Sequence, residues 1–368
     1  MKLIAFYLPQ FHRFPENDQW WGEGFTEWTN TRKAVPLYKG HYEPREPLND
    51  NYYCLLDKST FEWQIDLAQQ YGIYGFCFYH YWFEGHMLMQ KPMEMFLQNP
   101  SLNLKFCISW ANETWSRRMN GSNQDILIKQ TYGNESTWKQ HFTYLLPFFK
   151  DKRYIYVDGK PLFVLYKPEI FPEYMEMIDL WNQLAIENGL DGISFAVQGA
   201  QWNNEENVDD SKVDYRIMYE PSYTNTQPVS QKGVKYEFVT KLYHLWSYLN
   251  PQIHVQKVPY NLVCSNILNR KVKSDKYIPG IFVDWDNTAR KGSKGLSYFG
   301  STPSVFKYYL SELIRKTKAE YKKEIIFINA WNEWAEGCYL EPDKRYKYGY
   351  LEAVRDALIE NGEFINGE

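Results

Sequence analysis

The feature of this sequence that most constrains its fold is the alternation of short apolar runs with longer amphipathic segments. Each run is apolar on both faces, which is typical of parallel strands that helices cover on either side. The segments between the runs have helical periodicity, and several end near a glycine. The predicted strands are Leu3–Leu8, Gly75–Tyr79, Lys105–Ser109, Leu162–Tyr166, Ile193–Val197, Tyr215–Met218, Ile281–Val283 and Ile325–Ile328.

Five helices are predicted between these strands, at about residues 59–72, 136–149, 174–187, 236–249 and 304–321. At the start of the first helix, Ser59 and Glu62 have the spacing of a capping box. Repeated strand–helix units in a chain of 368 residues favour an α/β fold, a single (β/α)8 barrel of the TIM type with long rim loops. Because no linker or repeat divides the sequence, we expect one catalytic domain over residues 1–368.

Charge and cysteine content exclude several classes of protein. The net charge of -4 provides no basic surface for nucleic acid. No stretch of about 18 apolar residues predicts a membrane span, and the N-terminal run has no signal-peptide cleavage site. The five cysteines are odd in number and match no zinc spacing. We therefore expect a cytoplasmic protein without a metal or other cofactor, and the sequence leaves its oligomeric state open.

Aromatic residues make up 18% of the chain, including 31 Tyr and 14 Trp. Each buried Tyr or Trp needs a hydrogen-bond partner, so a core alone does not require so many. An aromatic face stacks on the apolar face of a sugar ring while polar groups bind its hydroxyls, and the excess therefore indicates a carbohydrate site. A bulky core with hydrated surface tyrosines is the alternative explanation for part of the excess.

Polar and aromatic residues follow directly after several predicted strands. In a barrel all strand C-termini open on one rim, so these clusters are expected to meet in one cleft. The long loop after the first strand is also rich in aromatic residues, and its Glu23, Glu27, Trp28 and His41 either line the cleft or belong to a packed lid. The candidate substrate-binding residues are Tyr7, Gln10, His12, Trp28, His80, Tyr81, Trp82, Trp110, Asn112, Glu113, Glu220, Trp285, Asp286, Trp331, Asn332 and Trp334.

Glu333 and Glu336 are the candidate catalytic pair. Cleavage of a glycosidic bond needs a proton donor for the leaving oxygen and a second carboxylate. The two residues follow the last predicted strand, and a helical turn would place both carboxylates on one face. Tryptophans on either side would raise the pKa of one carboxyl and keep it protonated. The alternative is an ordinary helix start, where glutamate is common because of the helix dipole.

Other candidates also have open alternatives. Glu113 either takes part in proton transfer and sugar binding or is a salt-bridged structural residue. His80 is either a site residue or a satisfied core histidine. Asp284 and Asp286 form an Asp-x-Asp pattern, which either binds sugar hydroxyls or holds a divalent metal on a nucleotide sugar.

Longer motifs extend over nearly the whole chain, and they include Phe6–His12, Trp20–Gly22, Gly24–Asn30, Tyr79–Phe83, Trp110–Glu113, Trp285–Arg290 and Ile328–Gly337. In these stretches the chain resembles the WbsX-like family, which is related to glycoside hydrolase family 99. That resemblance implies a carbohydrate-active barrel of the kind associated with bacterial O-antigen and capsule clusters.

The looser resemblance to family 99 rests on Asn332–Trp334 with Glu336 and Gly337. Family 99 enzymes are retaining endo-α-mannosidases in which one glutamate deprotonates the sugar 2-hydroxyl and another acts as general acid, then base. The resemblance assigns these roles to Glu333 and Glu336, respectively. Family 99 has a histidine where this chain has Ala335, so mannose specificity is not carried over.

Three functions are therefore compared. The first is a glycoside hydrolase, retaining and endo-acting on a bacterial surface polysaccharide or its precursor, with Glu333 and Glu336 as catalytic residues. The second is a glycosyltransferase of the same pathway that uses a nucleotide-linked or lipid-linked sugar, with Asp284 and Asp286 at a metal. The third is a non-catalytic glycan-binding barrel, which would need aromatic residues but no pair of carboxylates.

Overall fold

The computed structural model describes residues 1–118, 124–198, 209, 211–227, 234–249 and 255–364. Its centre is a parallel sheet rolled into a barrel, with helices outside, which confirms the predicted fold class. All eight predicted strands are present, with ends shifted by a few residues. They are β1 Lys2–Tyr7, β2 Gly75–Phe83, β3 Lys105–Trp110, β4 Lys160–Leu165, β5 Ser194–Gln198, β6 Tyr215–Ile217, β7 Gly280–Phe282 and β8 Ile325–Asn329.

The barrel closes where a short segment before β7 bridges two strands. Tyr277–Ile278 pairs with β6, and after Pro279 the chain continues as β7, which pairs with β8. The strand β1 pairs with β2 on one side and with β8 on the other, so the first and last strands of the barrel are neighbours. A Cβ atom at Gly280 would lie 2.1 Å from the carbonyl oxygen of Met218, so close approach of two backbones requires glycine here.

The predicted helices are present, and other helices occur in the loops. Tyr174–Glu187 has the bounds expected from the sequence. The helices are α1 Pro15–Trp21, α2 Glu27–Lys33, α3 Lys58–Gln70, α4 Gln90–Gln98, α5 Glu135–Phe149, α6 Tyr174–Glu187, α7 Ser222–Thr226, α8 Val234–Leu249, α9 Tyr260–Asn269, α10 Thr288–Lys291, α11 Pro303–Lys316 and α12 Gly349–Glu360.

The predicted capping box at the start of α3 was wrong. The helix begins at Lys58, one residue before Ser59, and no side chain caps it. Glu62 instead binds the Lys58 ammonium at 2.7 Å, one helical turn away. A charged pair at this spacing stabilises the first turn of the helix in place of the reciprocal cap.

Additional elements build up the C-terminal rim of the barrel. β2 extends past the barrel and pairs with His86–Leu88. A hairpin of Trp115–Arg118 and Gln124–Ile128 follows β3. Helices α1 and α2 lie in the long loop after β1. No helix in the described part of the chain is long and apolar enough to cross a membrane. The expectation of one catalytic domain over residues 1–368 stays a prediction.

Candidate active site

A cavity of about 730 Å³ opens at the C-terminal rim of the barrel. Glu333 and Glu336 lie in its wall, as do four more of the residues expected from the sequence, which are Gln10, Tyr81, Glu113 and Trp285. His80 and Trp110 pair across β2 and β3 at this same rim, but neither lines the cavity, so the convergence of all strand-end clusters on one cleft stays a prediction. Glu27 of the long loop after β1 also lines the cavity, which is one of the two alternatives that the sequence left open for that loop. Further lining residues, which were not among the candidate site residues, include Trp21, Trp115, Tyr166, Tyr219 and Arg290.

The two glutamates are presented by a short turn after β8. Asn332–Glu333 pairs with Cys338–Tyr339, and the single helical turn Trp334–Glu336 lies between these two segments. This turn directs both carboxylates to the same cavity, as the spacing of three residues predicted. The Glu333 side chain is 8% exposed and that of Glu336 is 18% exposed, so Glu336 is the more open of the two.

Arg290 connects three carboxylates in the cavity. Its Nη1 donates to Glu336 at 2.7 Å, and its Nη2 lies 3.3 Å from Glu333. Both Nε and Nη2 donate to one oxygen of Glu27, at 2.9 and 2.6 Å. One guanidinium charge therefore faces three carboxylates, and this cluster is short of positive charge when all three are ionised.

Burial, and after it the shortage of positive charge, raises the pKa of Glu333 and of Glu336. Burial, with the neighbouring Glu336 carboxylate second, holds the pKa of Glu333 well above its usual range, although Arg290 opposes the shift. Burial also raises the pKa of Glu336, again against the effect of Arg290. Because the two groups interact closely, they titrate as a pair, and the pair retains a proton more readily than a solvated glutamate does.

The pairing of Glu27 with Arg290 could not be found from the sequence. Glu27 begins α2 in the long loop after β1, which the sequence left open as a lining of the cleft or a packed lid. Arg290 belongs to α10 after β7, so 263 positions separate the partners. Both residues lie within long motifs shared with the WbsX-like family, but those motifs do not indicate that the two side chains meet.

Glu113 lies in the cavity wall, where it forms a close ion pair with Lys167. The neighbouring Tyr81 and Tyr166 also line the cavity. Their hydroxyls form no hydrogen bond with another residue that the structure describes. Glu113 is thus both salt-bridged and at the site, and the two tyrosine hydroxyls are available to a ligand.

Two expected binding residues support the backbone of the rim. Asn112 accepts from the Lys167 backbone N–H and donates to the Lys167 carbonyl, both at 2.8 Å. Asn332 makes the same pair of bonds with Leu8, at 2.7 and 3.0 Å. Each asparagine is fully buried and links neighbouring barrel loops. These side chains lie behind the cavity, which differs from the expectation that they bind a sugar.

Several expected aromatic residues also lie behind the cavity. The Trp331 and Trp334 indoles donate to the buried carboxylate of Glu341, at 3.0 and 2.6 Å. Trp28 donates to the Tyr53 carbonyl, and the Tyr7 hydroxyl donates to Gln64. Trp331 and Trp334 belong to the segment that bears Glu333 and Glu336, but the polar atoms of all four aromatic residues point into the core.

The expected histidines pack in the core as well. His80 and His141 place their Nε2 atoms 2.9 Å apart, and Trp82 stacks on His141. Trp110 donates to the Trp82 carbonyl within this cluster. Burial lowers the pKa of His80 to about 3.

His12 and Glu220 are likewise outside the cavity wall. His12 is bonded through Nδ1 to the Pro9 carbonyl at 2.9 Å, and burial lowers its pKa to about 4. Glu220 forms a buried ion pair with Arg270 at 2.8 Å. Both side chains contact other protein groups and do not line the cavity.

The Asp-x-Asp segment alternates as a strand does. Trp285 faces the cavity, and the two aspartates on either side of it face away. Asp284 binds Arg45 at 3.1 Å, and Asp286 binds His41 at 2.8 Å. Asp286 therefore contacts protein groups, and the expectation that it binds substrate is not supported by its position.

His41, Glu43 and Asp286 bring three potential metal ligands within 4.8 Å of one another. The Leu37 backbone N–H donates to Nδ1 of His41 at 3.0 Å, which places the imidazole proton on Nε2. That proton is donated to Asp286, so the Nε2 lone pair is not free for a metal. These hydrogen bonds indicate that His41 and Asp286 bind protein groups and each other rather than a metal ion.

The model of a protein family described as Glycosyltransferase WbsX matches residues 3–354, almost the whole chain. The chain belongs to the WbsX family. Two curated relatives, both described as uncharacterized protein WxcX of Xanthomonas campestris pv. campestris, are 34% identical over 359 residues. The match covers 97% of this chain and 49% of each relative, so this WbsX chain spans about half the length of those proteins.

Solved structures extend the comparison of this WbsX chain to its fold. The family 99 endo-alpha-mannosidase of Bacteroides thetaiotaomicron has a TM-score of 0.56 at 14% identity, covering 97% of this chain and 96% of the enzyme. A structure described as a glycoside hydrolase-like protein has a TM-score of 0.55, with 97% and 93% covered. The WbsX chain thus has the barrel architecture of family 99.

Proposed function

We propose that this WbsX chain is a glycoside hydrolase that acts within a bacterial surface polysaccharide or its precursor. The observation that carries the proposal is the pair Glu333 and Glu336, joined by Arg290 in the wall of one cavity. A glycosidase needs two carboxylates at the scissile bond, one of them protonated. The raised pKa of both groups supports a shared proton at neutral pH.

The walls of the cavity suit a sugar. Trp21, Trp115 and Trp285 offer aromatic faces, and the rings of Tyr81 and Tyr166 bring hydroxyls. Aromatic faces bury the apolar side of a pyranose while hydroxyls and carboxylates bind its hydroxyl groups. This combination supports a carbohydrate substrate over a small apolar ligand.

The role of each glutamate in the proposal follows the resemblance to family 99. Glu333 accepts the proton of the sugar 2-hydroxyl, whose oxygen attacks the anomeric carbon and closes a 1,2-anhydro ring. Glu336 donates its proton to the departing glycosidic oxygen as that bond breaks. Glu336 then accepts a proton from water, which opens the ring with overall retention, and Glu333 returns its proton to the 2-oxygen. The greater exposure of Glu336 suits the group that must meet the leaving oxygen and water.

The glycosyltransferase alternative is favoured by one observation, the description of the family model. A transferase of this kind would use Asp284 and Asp286 to hold a metal bound to a nucleotide sugar. Both aspartates face away from the cavity and are engaged by Arg45 and His41. The geometry therefore supports the hydrolase.

A digestion screen tests the proposed function. Purified bacterial surface polysaccharides are incubated with the protein, and the products are analysed by mass spectrometry. We expect shorter fragments from at least one polysaccharide, no loss of activity with EDTA, and no fragments with E333Q or E336Q. Activity that disappears with EDTA and returns with Mn²⁺ or Mg²⁺ would instead support the transferase.

A further inference from the structure

Beyond the two proposed catalytic residues, a third buried carboxylate lies behind the turn that carries them. We propose that Glu341 is a positioning residue that holds the segment 331–336, and with it Glu333 and Glu336, in place. The inference depends on the proposed function only for its kinetic test, because the position of the segment can be measured without a substrate.

Glu341 is only 2% exposed, and its carboxylate accepts four hydrogen bonds. One oxygen, Oε1, accepts from the Trp331 indole at 3.0 Å and from the Gln64 amide at 2.6 Å. The other, Oε2, accepts from the Tyr53 hydroxyl at 2.8 Å and from the Trp334 indole at 2.6 Å. Both oxygens are therefore saturated in a site without access to bulk water.

The four donors join the catalytic turn to a rigid part of the barrel. Trp331 and Trp334 lie on either side of Glu333 in sequence, so their indoles fix the two ends of the segment that bears it. Gln64 belongs to α3, and its side-chain oxygen accepts from the Tyr7 hydroxyl of β1 at 2.6 Å. Tyr7 thereby orients the Gln64 amide so that its N–H group faces Glu341.

A carboxylate suits this anchor better than other side chains do. All four donors are neutral, and no lysine or arginine forms an ion pair with Glu341 in the part of the chain that the structure describes. A glutamine would turn an NH₂ group toward two of the four donors and leave at least one buried N–H without an acceptor. An apolar residue would leave all four unsatisfied. Burying a charge is costly, and this charge is compensated by four hydrogen bonds, two of which come from the indoles of the turn.

Hydrogen exchange followed by mass spectrometry tests the proposal on the full chain. Backbone N–H groups of Gly337, Leu340 and Glu341 donate within the segment, at 3.0, 3.0 and 3.3 Å, and report its opening. In E341Q we expect peptides covering residues 331–341 to exchange about 10-fold faster or more, with other barrel peptides little changed. The control is D151N, which removes a carboxylate bound to Arg153 at the opposite end of the barrel.

Unchanged exchange of residues 331–341 in E341Q, or an equal increase in D151N, would overturn the proposal. If E341Q fails to fold, Tyr53→Phe removes one of the four donors, and the same peptides should then exchange faster than in the wild type. An increase in exchange that is equal in all peptides of the Tyr53→Phe variant would also contradict the proposal.

The kinetic test uses a polysaccharide that the wild-type protein cleaves in the digestion screen. E341Q should lower kcat about 10- to 100-fold with KM changed by less than about 3-fold, because misplaced carboxylates affect the reaction more than binding. Adding W334F to E341Q should cause little further loss of kcat, since the two substitutions remove the same hydrogen bond. A rise in KM alone would contradict a positioning role. If E341Q exchanges faster but the wild-type protein cleaves no polysaccharide, the positioning role of Glu341 is supported and the hydrolase is refuted.

Discussion

At the scale of single residues, the charge of the proposed site depends on Arg290 and on what surrounds it. Glu27 binds this arginine more closely than Glu333 does, with two bonds of 2.9 and 2.6 Å against one of 3.3 Å. The negative charge of Glu27 also raises the pKa of both proposed catalytic glutamates. Glu27 therefore places Arg290 between the pair and helps the pair to keep its proton.

Replacing Glu27 by Gln should change the pH dependence of activity. Loss of its charge lowers the pKa of the catalytic pair, so the acid form disappears at a lower pH. We expect the alkaline limb of the kcat/KM profile to move down by roughly one pH unit, with kcat reduced about 10-fold. The matched control is Glu23→Gln, a glutamate of the same loop whose side chain is 87% exposed, which should leave the profile unchanged. An alkaline limb that moves upward in E27Q would contradict this account.

The two catalytic glutamates should respond differently to the leaving group. Glu336→Gln should be least harmful on aryl glycosides with acidic leaving groups, which depart without protonation. Glu333→Gln should reduce kcat by orders of magnitude on every substrate, because attack by the 2-oxygen is then unassisted. A 2-deoxy or 2-fluoro substrate should not turn over. A sugar covalently attached to Glu333, detected by mass spectrometry, would replace this route with an ordinary double displacement.

The sequence placed Glu333 and Glu336 in the wall of the cavity correctly, but it also placed there several neighbours that lie behind it. Position after a strand indicates the correct rim, because parallel strands all end there. It does not indicate which way a side chain points once a loop leaves the barrel. Asn112 and Asn332 turn back to bond a neighbouring loop, and Trp331 turns toward Glu341. Those directions depend on long-range partners that local patterns do not contain.

At the scale of elements, the eight strands were predictable because each is a short run buried on both faces. The ends of the strands were less predictable. For example, β2 was expected to end at Tyr79 but continues to Phe83, because His86–Leu88 returns to pair with it. That extension is why His80 lies within a strand and packs against α5. A strand signal defines the buried centre of an element, while pairing partners define its ends.

The contact between β2 and α5 makes the stability of the fold depend on pH. Burial lowers the pKa of His80 to about 3, and that of His141 falls well below its usual range, first because of burial and then because of His80. An unfolded histidine titrates near pH 6.5, so below that pH the unfolded chain binds more protons than the folded one. Each buried histidine therefore lowers the free energy of unfolding by about 1.4 kcal/mol per unit of falling pH.

His141→Gln should remove one of these contributions. Between pH 7 and 5, the variant should lose about 2 kcal/mol less unfolding free energy than the wild type does, measured by urea denaturation at each pH. Comparing the two proteins cancels the opposite contribution of carboxyls whose pKa is raised by folding, such as Glu333. The control is the exposed His86→Gln, and equal pH dependence in the wild type and H141Q would refute this assignment.

At the scale of the whole molecule, barrel and cavity come from one chain that spans about half the length of its WxcX relatives. A barrel of this kind is a scaffold, and its activity depends on the residues at its rim. In this chain the rim brings together Glu333, Glu336, Glu27 and Arg290 from three strand-end loops. The central claim is that this arrangement transfers a glycosyl unit to water.

Cleavage in H₂¹⁸O measures that claim most directly. The polysaccharide identified by digestion is treated with the wild-type protein in labelled water, and the new reducing ends are analysed by mass spectrometry. The account predicts one ¹⁸O atom at each new reducing end and no labelled product with E333Q or E336Q. Products that are elongated and unlabelled would contradict it, since the glycosyl unit would then have been transferred to another sugar.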